Sequence, residues 1–168
     1  AIALRLAAFH PERVSALIIA RPAWLDERAP ERMQIYLDVA ELLAQHGSSQ
    51  GLERLQASER YRLLMSASPD NAASMRSFFQ RENPASTDGL LSRIPAQGLG
   101  VTREQMSRLA LPPLVIANEG DYVHSVAMAT ETTGLIPGAE LKIIPSKNSA
   151  REAYIEAFKA ALDEFLSR

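Results

Sequence analysis

Asp121 and His124 stand three residues apart in the run Asn118-Glu119-Gly120-Asp121-Tyr122-Val123-His124-Ser125, a spacing at which a carboxylate could orient an imidazole for proton transfer. Read from the residues alone, each also has a plainer role. Asp121 follows an apolar run and precedes a helical pattern, which fits a carboxylate at a helix start, stabilised by the local dipole. His124 fits a polar residue at the entry of the same helix. Further on, Ser146 and Ser149 offer hydroxyls, but no general base stands beside them, and loop serines commonly solvate or cap. His10 and His46 close helical patterns, where imidazole favours the negative end of the dipole. The three histidines lack the i, i+4 pairing of a metal site, and with no cysteine there is neither a thiolate ligand, a thiol nucleophile nor a disulfide. No metal or cofactor is expected.

The elements that must position these residues belong to an ordered chain. With 46% hydrophobic and 23% charged residues, 168 residues can bury a core of their own, which excludes disorder as the overall state. The net charge of −2 gives no basic footprint for phosphate backbones, so nucleic acid is not an expected partner. The opening AIALRLAAF is short and interrupted by Arg5, and it reads as a helix of the fold rather than a membrane or targeting segment. A cytoplasmic protein is the expectation. Because Ala1 already lies inside a helical pattern, an upstream portion is expected to be missing.

Residues 1 to 10 form an apolar helix ended by HPERV, and VSALIIA, residues 14–20, reads as a strand covered on both faces. From about 24 to 105 the pattern is helical: Pro30 to His46 with Gly47 as the stop, Ser58 to Ala67, Pro69 to Arg81, and Thr87 to Ile94. Thr102 and Gln105 have the spacing of a capping box, with Val101 able to staple onto Met106. The α/β pattern then returns with a strand over about 113–118, a helix from Ser125 to Thr133, a strand over 140–144, and a final helix with an apolar stripe from Tyr154 to Leu166. The predicted class is α/β, with three parallel strands, flanking helices and a helical insertion. Met33, Tyr36, Leu37, Met65, Met75, Phe78 and Phe79 make apolar stripes on the insertion. They either pack the helices together or line an apolar pocket, to which Trp24 at the joint could contribute.

Three stretches resemble the second half of the α/β-hydrolase family. AIALRLAAFHPERVSALIIARPAW is similar to the helix after the nucleophile, its turn and the sixth strand. PLVIANEGDYVHS is similar to the seventh strand and the loop of the acidic triad member, and IPGAELKIIPSKN to the eighth strand and the loop that supplies the histidine. The resemblance implies a partial α/β-hydrolase core over 1–23 and 106–168, with a lid over 24–105. It puts the triad acid at Asp121 and the histidine position at Asn148 or Ser149, neither of which is a base near neutral pH. The nucleophile and oxyanion hole would lie upstream. An esterase-like or carbon–carbon-hydrolase-like ancestry is implied, catalytically incomplete in this chain. The alternatives are a noncatalytic module that binds a small apolar ligand or another protein, and a fragment active only with its N-terminal part. Strand 14–20, which carries no blocking charge or proline, would be an open edge, so a homodimer or pairing with an upstream segment is expected.

Overall fold

The near-continuous apolar run at residues 114–118 becomes the middle strand of a three-stranded parallel sheet. In this computed structural model, residues 1–25, 30–82, 84–96 and 98–168 are described, without the side chains of 84–86, 88 and 94. Residues 26–29, 83 and 97 of the expected lid therefore lie outside the described residues. The strands are β1 (Ile18–Ala20), β2 (Leu114–Asn118) and β3 (Glu140–Ile144), in the order β1-β2-β3. Ile18 pairs in register with Leu114, and Leu114 with Glu140. All five residues of β2 are buried, as a strand covered on both faces requires.

β1 is shorter than the apolar run 14–20 predicts, and Pro113 gives the reason. The Leu114 N–H donates to Leu17 O at 3.0 Å, but the preceding Pro112 and Pro113 have no N–H with which to continue the ladder. On its N-terminal side, Val14 N–H instead closes the short 3₁₀ turn Pro11–Arg13.

The chain divides into two compact units, Ala1–Glu27 with Gly98–Arg168, and Arg28–Gln97. In the first, the sheet is packed on both faces. Leu4 and Ala7 of α1 (Ile2–Phe9), Met106 of α6 (Arg103–Met106) and Ala129 of α7 (Val126–Leu135) join Ile19, Val115 and Ala117 in one core. Leu114, Ile116 and Ile144 face the other way, under Ala161 and Phe158 of α8 (Arg151–Leu166). This is the alternation of a pleated strand, with odd residues of β2 on one layer and even residues on the other. Thr102 caps α6 in a full capping box with Gln105. The exposed side of β3 carries Glu140 and Lys142, which pair with Arg168 and with Glu164.

The second unit holds α2 (Gln34–Ala57), α3 (Glu59–Ala67), α4 (Pro69–Phe78) and α5 (Pro84–Ala96). Gly47 ends the first part of α2 as its residue type predicts, with φ 66° and ψ −169°, but the helix resumes and runs to Ala57. A Cβ on Gly51 would stand 2.9 Å from Leu42 O, so the two parts of α2 bend sharply onto each other. Only glycine adopts the Gly47 conformation without strain. Gly47→Ala should therefore cost about 2 kcal/mol in urea unfolding. Gly89→Ala, at a helical position with open space around it, should be neutral or stabilising by about 0.5 kcal/mol.

Candidate functional site at the strand ends

β1 and β2 run parallel and end side by side, so the loops that follow them meet beyond their C-terminal ends. Arg21 comes directly after β1 and Asp121 three residues after β2. The Arg21 backbone N–H donates to Ile116 O at 2.7 Å, and the residue sits at φ 53°, a left-handed conformation unusual for a side chain of this size. This backbone turn directs its guanidinium at the Asp121 carboxylate. Nε donates to Oδ2 at 2.8 Å and Nη2 approaches the same oxygen at 2.6 Å.

The other carboxylate oxygen belongs to His124. Its backbone N–H donates to Asp121 Oδ1 at 2.9 Å, and its Nδ1 lies 3.2 Å from that oxygen. Nδ1 is also 3.2 Å from Arg21 Nη2, so carboxylate, guanidinium and imidazole form one closed cluster. The Asp121 side chain is only 1% exposed, against 26% for Arg21 and 20% for His124. The carboxylate is therefore the floor, and the two nitrogen side chains are its rim. Burial alone would push the Asp121 pKa up. The side-chain and backbone hydrogen bonds of His124, with the charges of His124 and Arg21, outweigh it and hold the carboxyl at about 2.

Asp121 is not the cap of the helix that follows. Ser125 takes that place, accepting the Met128 N–H at 3.3 Å, and the carboxylate instead closes the turn from Asp121 to His124. Gly120, at φ 68°, lets the last loop come close: a Cβ there would meet Ser146 Oγ at 2.9 Å. Asn148 Nδ2 donates to Gly120 O at 2.9 Å. The residue at the expected histidine position is thus tied to the backbone of the Asp121 loop by an amide. Ser146 Oγ accepts the Asn148 N–H at 3.2 Å, a turn contact rather than an activated hydroxyl.

The other residues singled out in the sequence are not gathered here. Trp24 is half-buried against the core of the sheet unit, and its Nε1 is buried without a hydrogen-bond partner among the described residues. Met33 and Phe79 are buried within the helical unit, Phe79 where it meets Gly51. Phe78 stacks edge-on with Tyr36 at 6.0 Å and lies under the Arg81 guanidinium. His10 is exposed at the end of α1, and His46 lies in α2 beside the Gly47 bend. Among the described residues no group of three or more histidine or acidic side chains could hold a metal. Arg21 is the member that sequence reading missed. It is 100 residues from Asp121, and nothing local marks an arginine for a left-handed turn.

No family model matches the sequence, nor does any curated protein. Solved structures do. Over 99% of this chain, the fold is similar to a hydrolase from Pseudomonas aeruginosa PA01 with a TM-score of 0.65 and 22% identity. It is similar over the same share to MGS-M2, an α/β-hydrolase enzyme from a Medee basin deep-sea metagenome library, at 0.68 and 16%. The enol-lactonase from Burkholderia xenovorans LB400 gives 0.69 and 19%. The fold is that of a partial α/β-hydrolase. This chain spans 61% of the length of each of those three, in keeping with the C-terminal portion of the α/β-hydrolase fold. At these identities the likeness speaks for the fold, and chemistry must be argued from the site.

Proposed function

We propose that this protein is a hydrolase-like chain of esterase or carbon–carbon-hydrolase ancestry that keeps the acid position of a triad at Asp121 and does not complete the triad within its own sequence. The observation that carries this reading is the partner set of Asp121. Its carboxylate, at the end of β2, is taken up by Arg21 and by the His124 of its own loop, while Asn148 bonds to Gly120 O. In the triad mechanism the acid orients a histidine whose outer nitrogen removes the proton from a nucleophile. Here Asp121 is already engaged as an ion pair, and the amide of Asn148 cannot serve as a base. The helical unit inserted in the chain between β1 and β2 is read as the lid, with Trp24, Met33, Phe78 and Phe79 as candidate pocket residues.

The test is hydrolysis of p-nitrophenyl acetate. The protein should not exceed the rate of a catalytically inert control protein, and Asp121→Ala should leave that rate unchanged. Turnover well above the control that disappears in Asp121→Ala would overturn the reading. A noncatalytic binding module is the second reading, favoured by the Arg21–Asp121 pair itself. The third, a fragment that works only with an N-terminal part, is supported by the 61% coverage of the solved structures. The outer edge of β1 has no strand partner among the described residues. We read it as a pairing edge, for a second copy or for an upstream segment. Among the described residues no helix is long and apolar enough to cross a membrane, and a cytoplasmic location is part of the proposal.

A further inference from the structure

We propose that the outward face of α1 is the contact surface of a symmetric dimer, on which a second copy of this chain lays its own α1 antiparallel. The inference goes beyond the hydrolase reading and uses neither the Asp121 cluster nor the edge of β1.

α1 carries more apolar surface than the sheet covers. In its run IALRLAAF, Arg5 is the only polar residue, and a helix apolar on every side is one that other elements surround. Leu4 and Ala7 are buried in the core of the sheet unit. At about 100° per residue, Ile2, Leu6 and Phe9 fall in one row on the opposite side of the helix. There they are 85%, 41% and 48% exposed. They also share one open groove of about 450 Å³, whose described lining is Ile2, Arg5, Leu6, Phe9 and His10. Single apolar side chains are ordinary on a surface, whereas a continuous exposed patch marks an interaction site. The i, i+4, i+7 spacing of this row is that with which one helix packs onto another.

The charges select the occupant. The Arg5 guanidinium lines the groove and makes no hydrogen bond or ion pair among the described residues. It is braced on one side, where its Nη1 occupies the space a Cβ on Gly100 would need. Glu12 follows the C-terminal end of the groove, and its ion-pair neighbour among the described residues is His10 Nδ1 at 3.9 Å, beyond hydrogen-bond length. One face thus carries an unmatched cation near its middle and a loosely matched acid past one end. A parallel copy would set Arg5 beside Arg5. An antiparallel copy with Leu6 of each chain facing Phe9 of the other brings each Arg5 to within about 4 Å, along the axis, of Glu12 of the second copy. Both contacts then occur twice, because a two-fold interface is isologous. An unrelated partner would have to bring an apolar row, an acid and a base in matching order, and the face itself already holds all three. The contact is small. Helices about 12 Å long bury less than the roughly 800 Å² per partner of a standard interface, so the dimer should be weak, with a Kd of about 10 to 100 μM.

The test is sedimentation equilibrium of the protein over about 5 to 500 μM, a range that spans this Kd. It should pass from monomer to dimer. Leu6→Asp places a charge in the centre of the contact and should weaken the dimer at least about 10-fold. Arg5→Glu and Glu12→Arg should each weaken it about 5-fold by bringing like charges together, and the two combined should return the Kd to within about 2-fold of wild type. All three side chains are exposed, so each variant should keep the wild-type far-ultraviolet circular dichroism. A protein still monomeric at the highest concentration would overturn the proposal and leave the groove to another occupant, such as an upstream segment. So would a dimer that Leu6→Asp leaves intact, which would be joined elsewhere, or a double charge reversal no tighter than either single one.

Discussion

Asp121→Ala is expected to lower the unfolding free energy at pH 7 by about 3 kcal/mol, the range for removing one member of a largely buried ion pair. The substitution leaves the Arg21 guanidinium, about three-quarters buried, facing a gap, and it orphans the His124 N–H. Much of the loss is the cost of the abandoned arginine rather than the worth of the pair. Arg21→Met combined with Asp121→Ala should therefore be more stable than Asp121→Ala alone, because the unpaired charge goes with its partner. The pH dependence follows from the same geometry. Asp121 titrates at about 2 in the folded protein against an ordinary 3.8, so its folded pKa is depressed. A depressed carboxyl binds fewer protons folded than unfolded, and its stabilisation is complete above about pH 4 and lost as the pH falls through about 2. The shift corresponds to about 2 kcal/mol. Unfolding free energies from urea titrations of wild type and Asp121→Ala should converge by roughly that amount between pH 5 and pH 2. A gap that stays constant with pH would show that the carboxylate charge is not what holds the loop.

Ile116→Ala should cost about 4 kcal/mol, near the upper part of the range for emptying a buried isoleucine site. Ile116 is fully buried in β2, the middle strand, which is hydrogen-bonded on both sides, and its side chain packs with Leu114, Ile144 and Ala161 under α8. Neither β1 nor β3 can shift to fill the space without giving up its ladder to β2. Ile143→Ala in β3 is the matched control, since that side chain is 49% exposed, and it should cost less than about 1 kcal/mol. Chemical unfolding of both variants checks the difference. Similar losses at the two positions would mean that the layer under α8 is not the tightly packed one.

Elements whose cause is local were legible in the residues. The apolar run at 114–118, the capping box at Thr102, the glycine break at Gly47 and the stripe of α8 each carry their reason within a few residues; the first two took the predicted form, Gly47 breaks α2 without ending it, and the α8 stripe packs on the sheet except for the exposed Ile155 and Leu166. The three α/β-hydrolase-like stretches also predicted parallel strands, with Asp121 in the loop after the middle one, and the sheet has that form. The tertiary structure alone decided what Asp121 does. A carboxylate beside a helix start is equally suited to capping, to orienting a base or to an ion pair, and which one it makes depends on what reaches it from elsewhere. That was Arg21, brought 100 residues along the chain by the pairing of β1 with β2 and turned inward by a left-handed backbone that no local signal announces. The return of α2 beyond Gly47 was hidden for the same reason. Gly51 tolerates the close approach of Leu42 and Phe79, and a contact of that kind exists only once the helices have packed.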